Sequence, residues 1–137
     1  MKVLFDTNVI LDVLLDREPF VDDASHLLSM VERSEIIGYI CATTATTINY
    51  LLEKTLGKKD ALHYTALLLS LFEISPVNRV VLEKALRSGF KDFEDAVLYE
   101  SALLSSVECI VTRNVKDFKK SKIAVLEPAE LISAIRY

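Results

Sequence analysis

Lys2-Val3-Leu4-Phe5-Asp6-Thr7-Asn8-Val9-Ile10-Leu11-Asp12-Val13-Leu14-Leu15 is the stretch whose reading decides the fold. The short apolar run that ends at Phe5 reads as a buried strand, and apolar residues at 9, 10, 11, 13, 14 and 15 suit a mostly buried helix over 8–15. A strand that passes through Asp-Thr-Asn straight into a helix opens a βα unit, and repeats of that unit give a mainly parallel sheet covered by helices. Asp6 therefore ends a strand, which is where such sheets gather their ligands.

The alternation continues along the chain. Arg17-Glu18-Pro19 breaks the first helix before a second over 20–33, in which Leu27, Leu28 and Val31 recur at helical spacing. A strand is expected over 35–41, then a helix capped by Thr43 or Thr44 that runs to 56, with Gly57 suited to the left-handed conformation that ends helices. A helix over 58–72, a short strand over 73–77 and helices over 79–88 and 93–105 follow. A strand over 108–112, a shorter one over 123–126 and a helix from Pro128 to Ile135 complete the pattern. The expectation is a single domain over residues 1–137, with helices on both faces of the sheet. Leu67, Leu68 and Leu71 are expected to face the core, as apolar residues at helical spacing usually do; the alternative is a face for a second copy or a partner.

A chain of 137 residues can bury roughly two-thirds of its unfolded surface. Hydrophobic content of 51% with only 3 Gly and 3 Pro excludes a disordered or fibrous chain. The longest apolar stretch, from Ala66 to Phe72 around Ser70, falls far short of the roughly 20 residues of a membrane span, and the N-terminus lacks the features of a signal peptide. A cytoplasmic location away from membranes is expected. Cys41 and Cys109 lie in apolar runs and read as buried thiols, while His26 and His63 have no neighbours at zinc-ligand spacing. With 16 basic and 20 acidic residues the net charge is −4, so binding of nucleic acid through overall basicity is excluded. A local basic run nevertheless exists at Arg113, Lys116, Lys119, Lys120 and Lys122.

Three acidic motifs fall at turns after strands or before helices. Asp6-Thr7-Asn8 follows the first strand, Asp92-Phe93-Glu94-Asp95 opens a helix, and Thr112-Arg113-Asn114-Val115-Lys116-Asp117-Phe118 follows a later strand. Each has an ordinary explanation, because Asp is a good N-cap. Together they suggest more: Asp92 and Asp95 lie three apart and share a helix face, and convergent carboxylates repel one another unless a cation neutralises them. Mg²⁺ takes oxygen ligands, uses one or two protein carboxylates and retains waters, one of which is acidified enough to attack a phosphodiester.

The three motifs, in this order and at these separations, resemble the successive signatures of PIN domains over essentially the whole chain. The resemblance implies a three-layer α/β/α fold with a short, mainly parallel sheet of four to five strands. It implies a ribonuclease that depends on Mg²⁺ or Mn²⁺, of the kind found as VapC-like toxins, with RNA as substrate, a homodimer and a paired antitoxin protein. On the family pattern Asp6 and Asp95 would hold the metal, with Asp92 a supporting acid in the catalytic set; Asp117 is expected to join them as a third ligand and catalytic acid. Thr7, Asn8, Thr47, Thr112 and Asn114 would support those ligands from behind, and Arg113 and Lys116 would contact RNA phosphates.

Two departures stand out. The family places an acid on the helix after the second strand, yet Ala42-Thr43-Thr44-Ala45-Thr46-Thr47-Ile48-Asn49-Tyr50 contains none, and Thr47 stands at that position. Glu53 lies six residues further, a rise of about 9 Å, and Asn49 faces elsewhere. Asn114 occupies a place where many members carry Asp, so its amide oxygen brings no charge. These losses favour one metal over two, and they sustain an alternative: a partly degenerate PIN-like module that binds RNA or protein with little or no cleavage.

Overall fold

The computed structural model describes residues 1–136. Among them the chain runs β1 (Lys2–Phe5), α1 (Thr7–Leu14), α2 (Val21–Glu32), β2 (Ile37–Cys41), α3 (Ala42–Leu56), α4 (Lys58–Leu71), β3 (Glu73–Ser75) and α5 (Arg79–Arg87). It continues through α6 (Phe93–Leu104), β4 (Cys109–Val111), a 3-10 turn (Val115–Phe118), β5 (Ala124–Leu126) and α7 (Pro128–Ile135). Five strands form one sheet in the order β3-β2-β1-β4-β5, and every neighbouring pair is parallel. Helices cover both faces, which gives three α/β/α layers.

Alternation along β1 divides the core. Val3 and Phe5 join the side chains of α1, α2, α3 and α7, whereas Leu4 points to the other face and packs with Val97, Ala102 and Phe118. Phe5 meets Phe72 edge-on, with ring centroids 5.2 Å apart. The approach of Phe72 explains Gly38 in β2: a Cβ there would lie 2.7 Å from the Phe72 ring and 2.9 Å from Val31. Cys41 and Cys109 are buried and free. No helix among the described residues is long and apolar enough to cross a membrane.

Two expectations need correction. Neither Thr43 nor Thr44 caps α3, because the helix already begins at Ala42, with extended Cys41 at the cap position. Thr44 is instead buried, and its hydroxyl accepts from Thr7 Oγ1 at 3.2 Å. The second concerns the leucines of α4. Leu68 is buried, but Leu67 and Leu71 are 44% and 36% exposed, and Leu62 and Leu69 are also exposed. The physical reason is that α4 packs mainly on α3, so one narrow stripe, Ala61 and Leu68, suffices to bury it. Gly57 joins α3 to α4 at φ +90°, a conformation that suits glycine.

Candidate active site

The strand order sets the place of the site. From central β1 the chain moves outward through β2 and β3 on one side, then returns to β4 and β5 on the other. The crevice beyond the carboxyl ends of β1 and β4 is thus the switch point where open parallel sheets bind ligands. Asp6 leaves β1 there, its backbone N–H bonded to Val111 O at 2.9 Å, and Thr112 leaves β4 beside it.

Asp6 is both a cap and more than a cap. Its Oδ1 accepts from Thr7 N at 2.7 Å, and its Oδ2 accepts from Thr112 Oγ1 at 2.8 Å and from Asn8 Nδ2 at 3.4 Å. The Thr112 hydroxyl oxygen in turn accepts from Asn114 N at 3.0 Å and Asn8 Nδ2 at 3.4 Å, so the Thr7-Asn8 and Thr112–Asn114 turns lock around one carboxylate. Burial raises the pKa of Asp6 above the ordinary value. The hydrogen bonds from Thr112 and Thr7 oppose that rise, while the charges of Glu94 and Asp117 add to it.

The opposite wall is the N-terminus of α6. Asp92 caps it, Oδ1 accepting from Asp95 N at 3.1 Å, and places Glu94 and Asp95 in the first turn, where the helix dipole favours anions. Even so the Asp95 pKa is pushed up to about 7, first by burial and then by the charges of Asp6, Asp92, Asp117 and Glu94. That mutual influence places all five carboxylates in one electrostatic neighbourhood. Thr47, at the α3 position where an acid was expected, donates its hydroxyl to Glu94 Oε1 at 3.2 Å.

Two concavities meet at Asp95. One, of about 320 Å³, is lined by Asp6, Asn8, Thr47, Glu94, Asp95 and Asn114, among others. The second, of about 480 Å³, runs past Asp92, Asp95 and Asp117 between Lys91, Lys116 and Lys119. Among the described residues the ion pairs join Asp12 to Arg17 and Arg113, and Glu35 to Arg33; none engages Asp6, Asp92, Glu94, Asp95 or Asp117. No group of three His, Cys, Asp or Glu side chains among them forms a ready-made metal cage. Uncompensated charge on oxygen-only donors, without a tight cage, fits a hard cation that keeps part of its water shell, as Mg²⁺ does.

A family model described as a PIN domain matches residues 2–116. The chain belongs to the PIN domain family. It is 28% identical over 134 residues to Ribonuclease VapC1 of Aquifex aeolicus (strain VF5), a match that spans 94% of this chain and 92% of that protein. Its fold is similar to a toxin-antitoxin complex from Klebsiella pneumoniae at TM-score 0.69 and 27% identity, covering 92% of this chain and 97% of the other. The FitAcB structure from Neisseria gonorrhoeae shares the fold at TM-score 0.72 and 22% identity, covering 93% and 98%.

Within this PIN domain the structure brings Asp6, Asp95 and Asn114 into one cleft and sets Asp92 and Asp117 at its border with the lysine-lined groove. Lys116 lies in that groove. Arg113 lines the Asp6 cleft instead, with its charge committed: its Nε and Nη2 donate to Asp12 at 2.7 and 3.2 Å, and its guanidinium stacks 4.0 Å from the Phe20 ring centroid. Arg17 grips the same carboxylate at 2.9 Å and reaches Asn8 O at 3.3 Å. Sequence reasoning missed Asp12, Arg17 and Glu94. The signal for Asp12 was present, an acid inside an otherwise apolar helix. Nothing in the sequence pairs Glu94 with Thr47, because that contact joins two helices 47 residues apart.

Proposed function

We propose that this PIN domain is a metal-dependent endoribonuclease and the toxin of a toxin-antitoxin pair, a reading that the VapC1 ribonuclease and the Klebsiella complex support by likeness. One observation carries it: a buried aspartate at the sheet's switch point faces further carboxylates, and among the described residues none of them is paired with a Lys or Arg. Asp6, Asp95 and Asp117 are the residues that would hold the metal. A bound Mg²⁺ or Mn²⁺ supplies a water acidic enough to attack phosphorus at neutral pH.

The rest is the work of the chain. Thr112, Thr7 and Asn8 fix the Asp6 oxygens, so that it enters the site in one orientation. Asn114 holds water through its amide oxygen, and Thr47 anchors the far wall. Asp92, which caps α6 and borders the cleft, would accept the proton that the attacking water loses as its oxygen bonds to phosphorus, while the ester P–O bond breaks and the departing RNA oxygen takes a proton from solvent. RNA phosphates lie along the groove of Lys116, Lys91 and Lys119, with Arg113, held by Asp12, adding positive potential at the wall of the Asp6 cleft. The exposed leucines of α4 offer apolar surface for the antitoxin or for a second copy in a homodimer.

The test is RNA cleavage with Mg²⁺ or Mn²⁺ by wild type, Asp6→Asn and Asp95→Asn. Losses of roughly 10²-fold or more are expected from each. Cleavage untouched by both substitutions overturns the reading. The missing α3 acid and Asn114 favour a second reading, a binding module on the same fold. That reading prevails if the wild type neither cleaves RNA nor binds Mn²⁺ by calorimetry.

A further inference from the structure

We propose that Glu94 supplies, from the first turn of α6, the acidic charge that α3 lacks at this site, and that Thr47 holds it in place. The inference rests on the nuclease reading above. Along α3 the side chains that line the cleft are the hydroxyls of Thr43, Thr44 and Thr47. Glu53 is exposed and lies about 9 Å further along the helix. Asn49 is turned away to α4, where its Nδ2 donates to Thr65 Oγ1 at 3.0 Å. The α3 wall therefore brings no negative charge of its own.

Glu94 faces that wall. A glutamate in a first turn that serves only the helix dipole has no need of a partner and points to water. This one accepts a hydrogen bond across the cleft from Thr47, and it lines the same concavity as Asp6 and Asp95. Only Oε1 is engaged: among the described residues Oε2 has no hydrogen-bond partner, and no Lys or Arg pairs with the carboxylate. Asp95 and Glu94 are consecutive, so one helical turn delivers two carboxylates at different bearings, Asp95 at the junction of the two concavities and Glu94 on the α3 side. A threonine at position 47 thus has a specific use. Its hydroxyl donates to an acid that arrives from the neighbouring helix.

Glu94→Gln isolates the charge, because the amide oxygen still accepts from Thr47. Calorimetry with Mn²⁺ on the intact protein should show affinity weakened roughly tenfold or more, the range in which metal-site partners act. Melting in EDTA should be no lower than that of the wild type. The double variant Thr47→Glu/Glu94→Gln moves the acid onto α3 and should recover most of the lost affinity. Wild-type Mn²⁺ binding that is unchanged in Glu94→Gln overturns this inference and leaves the nuclease reading standing. A loss that the double variant does not recover overturns the claim that Glu94 stands in for an α3 acid. A wild type that binds no Mn²⁺ and cleaves no RNA overturns both.

Discussion

Replacing Asp12 by alanine should cost about 3 kcal/mol of stability, more than any other surface-remote polar change near the cleft. Asp12 is fully buried on α1 and accepts three hydrogen bonds from two guanidinium groups: Arg17 Nε at 2.9 Å, Arg113 Nε at 2.7 Å and Arg113 Nη2 at 3.2 Å. Removing one member of a buried ion pair typically costs about 3–5 kcal/mol, because the other charge is stranded. Here the stranded groups are partly wet, the Arg17 and Arg113 side chains being 38% and 25% exposed, so the lower end of that range applies. For a chain of this size such a loss lowers the melting temperature by about 10 °C. Arg17→Ala should cost far less, about 1 kcal/mol, since Arg113 continues to pair Asp12 and Arg17 is the wetter partner. Urea unfolding of the three proteins measures the difference. A loss below about 1 kcal/mol in Asp12→Ala, or equal losses in both variants, refutes the view that this carboxylate is the structural hinge between α1 and the β4 turn.

The acids of the cleft predict the opposite sign. Asp95 has its folded pKa raised to about 7 from the ordinary 3.8, so the native state holds its proton more tightly than the unfolded chain does, and metal-free stability falls as pH rises between those values. Asp95→Asn removes that dependence: in EDTA at pH 8 it should melt above the wild type, and at pH 4 the two should converge. A variant less stable than the wild type at pH 8 contradicts this account of the cleft. RNA binding measured on the cleavage-silent Asp95→Asn background should depend on salt, and adding Lys116→Ala or Lys119→Ala should each lower the slope of log affinity against log salt by about 0.7. An unchanged slope places the RNA elsewhere.

Much of the candidate cleft's layout was legible in the sequence because its acids sit where chain direction alone decides position. Asp6 after β1 and Thr112 to Asn114 after β4 had to emerge at the carboxyl edge of a parallel sheet, and capping preferences located Asp92 at the start of α6. What periodicity could not supply was the neighbours. The stripe of α4 says that one face is apolar but not how narrow a face α3 covers, so helical spacing alone puts Leu67 and Leu71 in the core although both are exposed. Asp12 and Arg113 are 101 residues apart, and only the adjacency of β1 and β4 in the sheet brings their turns together. Arg113 consequently read as a free phosphate contact when its guanidinium was already committed.

Asp6 and Asp12 contrast a carboxylate held by neutral donors with one neutralised inside the chain. Both are buried, both belong to the β1-α1 segment, and both face the β4 turn. Asp12 is neutralised within the chain by two arginines, an arrangement that leaves nothing for a ligand to add. Among the described residues Asp6 receives only a backbone N–H, a hydroxyl and an amide, donors that orient a charge without cancelling it, and the nearby charges of Glu94 and Asp117 oppose its ionisation. Such a group costs the folded state stability while it is unneutralised, and the cost is recovered only when a cation from outside the chain arrives. Exchanging the two environments is the decisive perturbation. Asn8 is half-buried at the cleft wall with its amide 3.4 Å from Asp6 Oδ2, and Asn8→Lys should raise metal-free stability at pH 8 and abolish Mn²⁺ binding together, because the ammonium would do for Asp6 what Arg113 already does for Asp12.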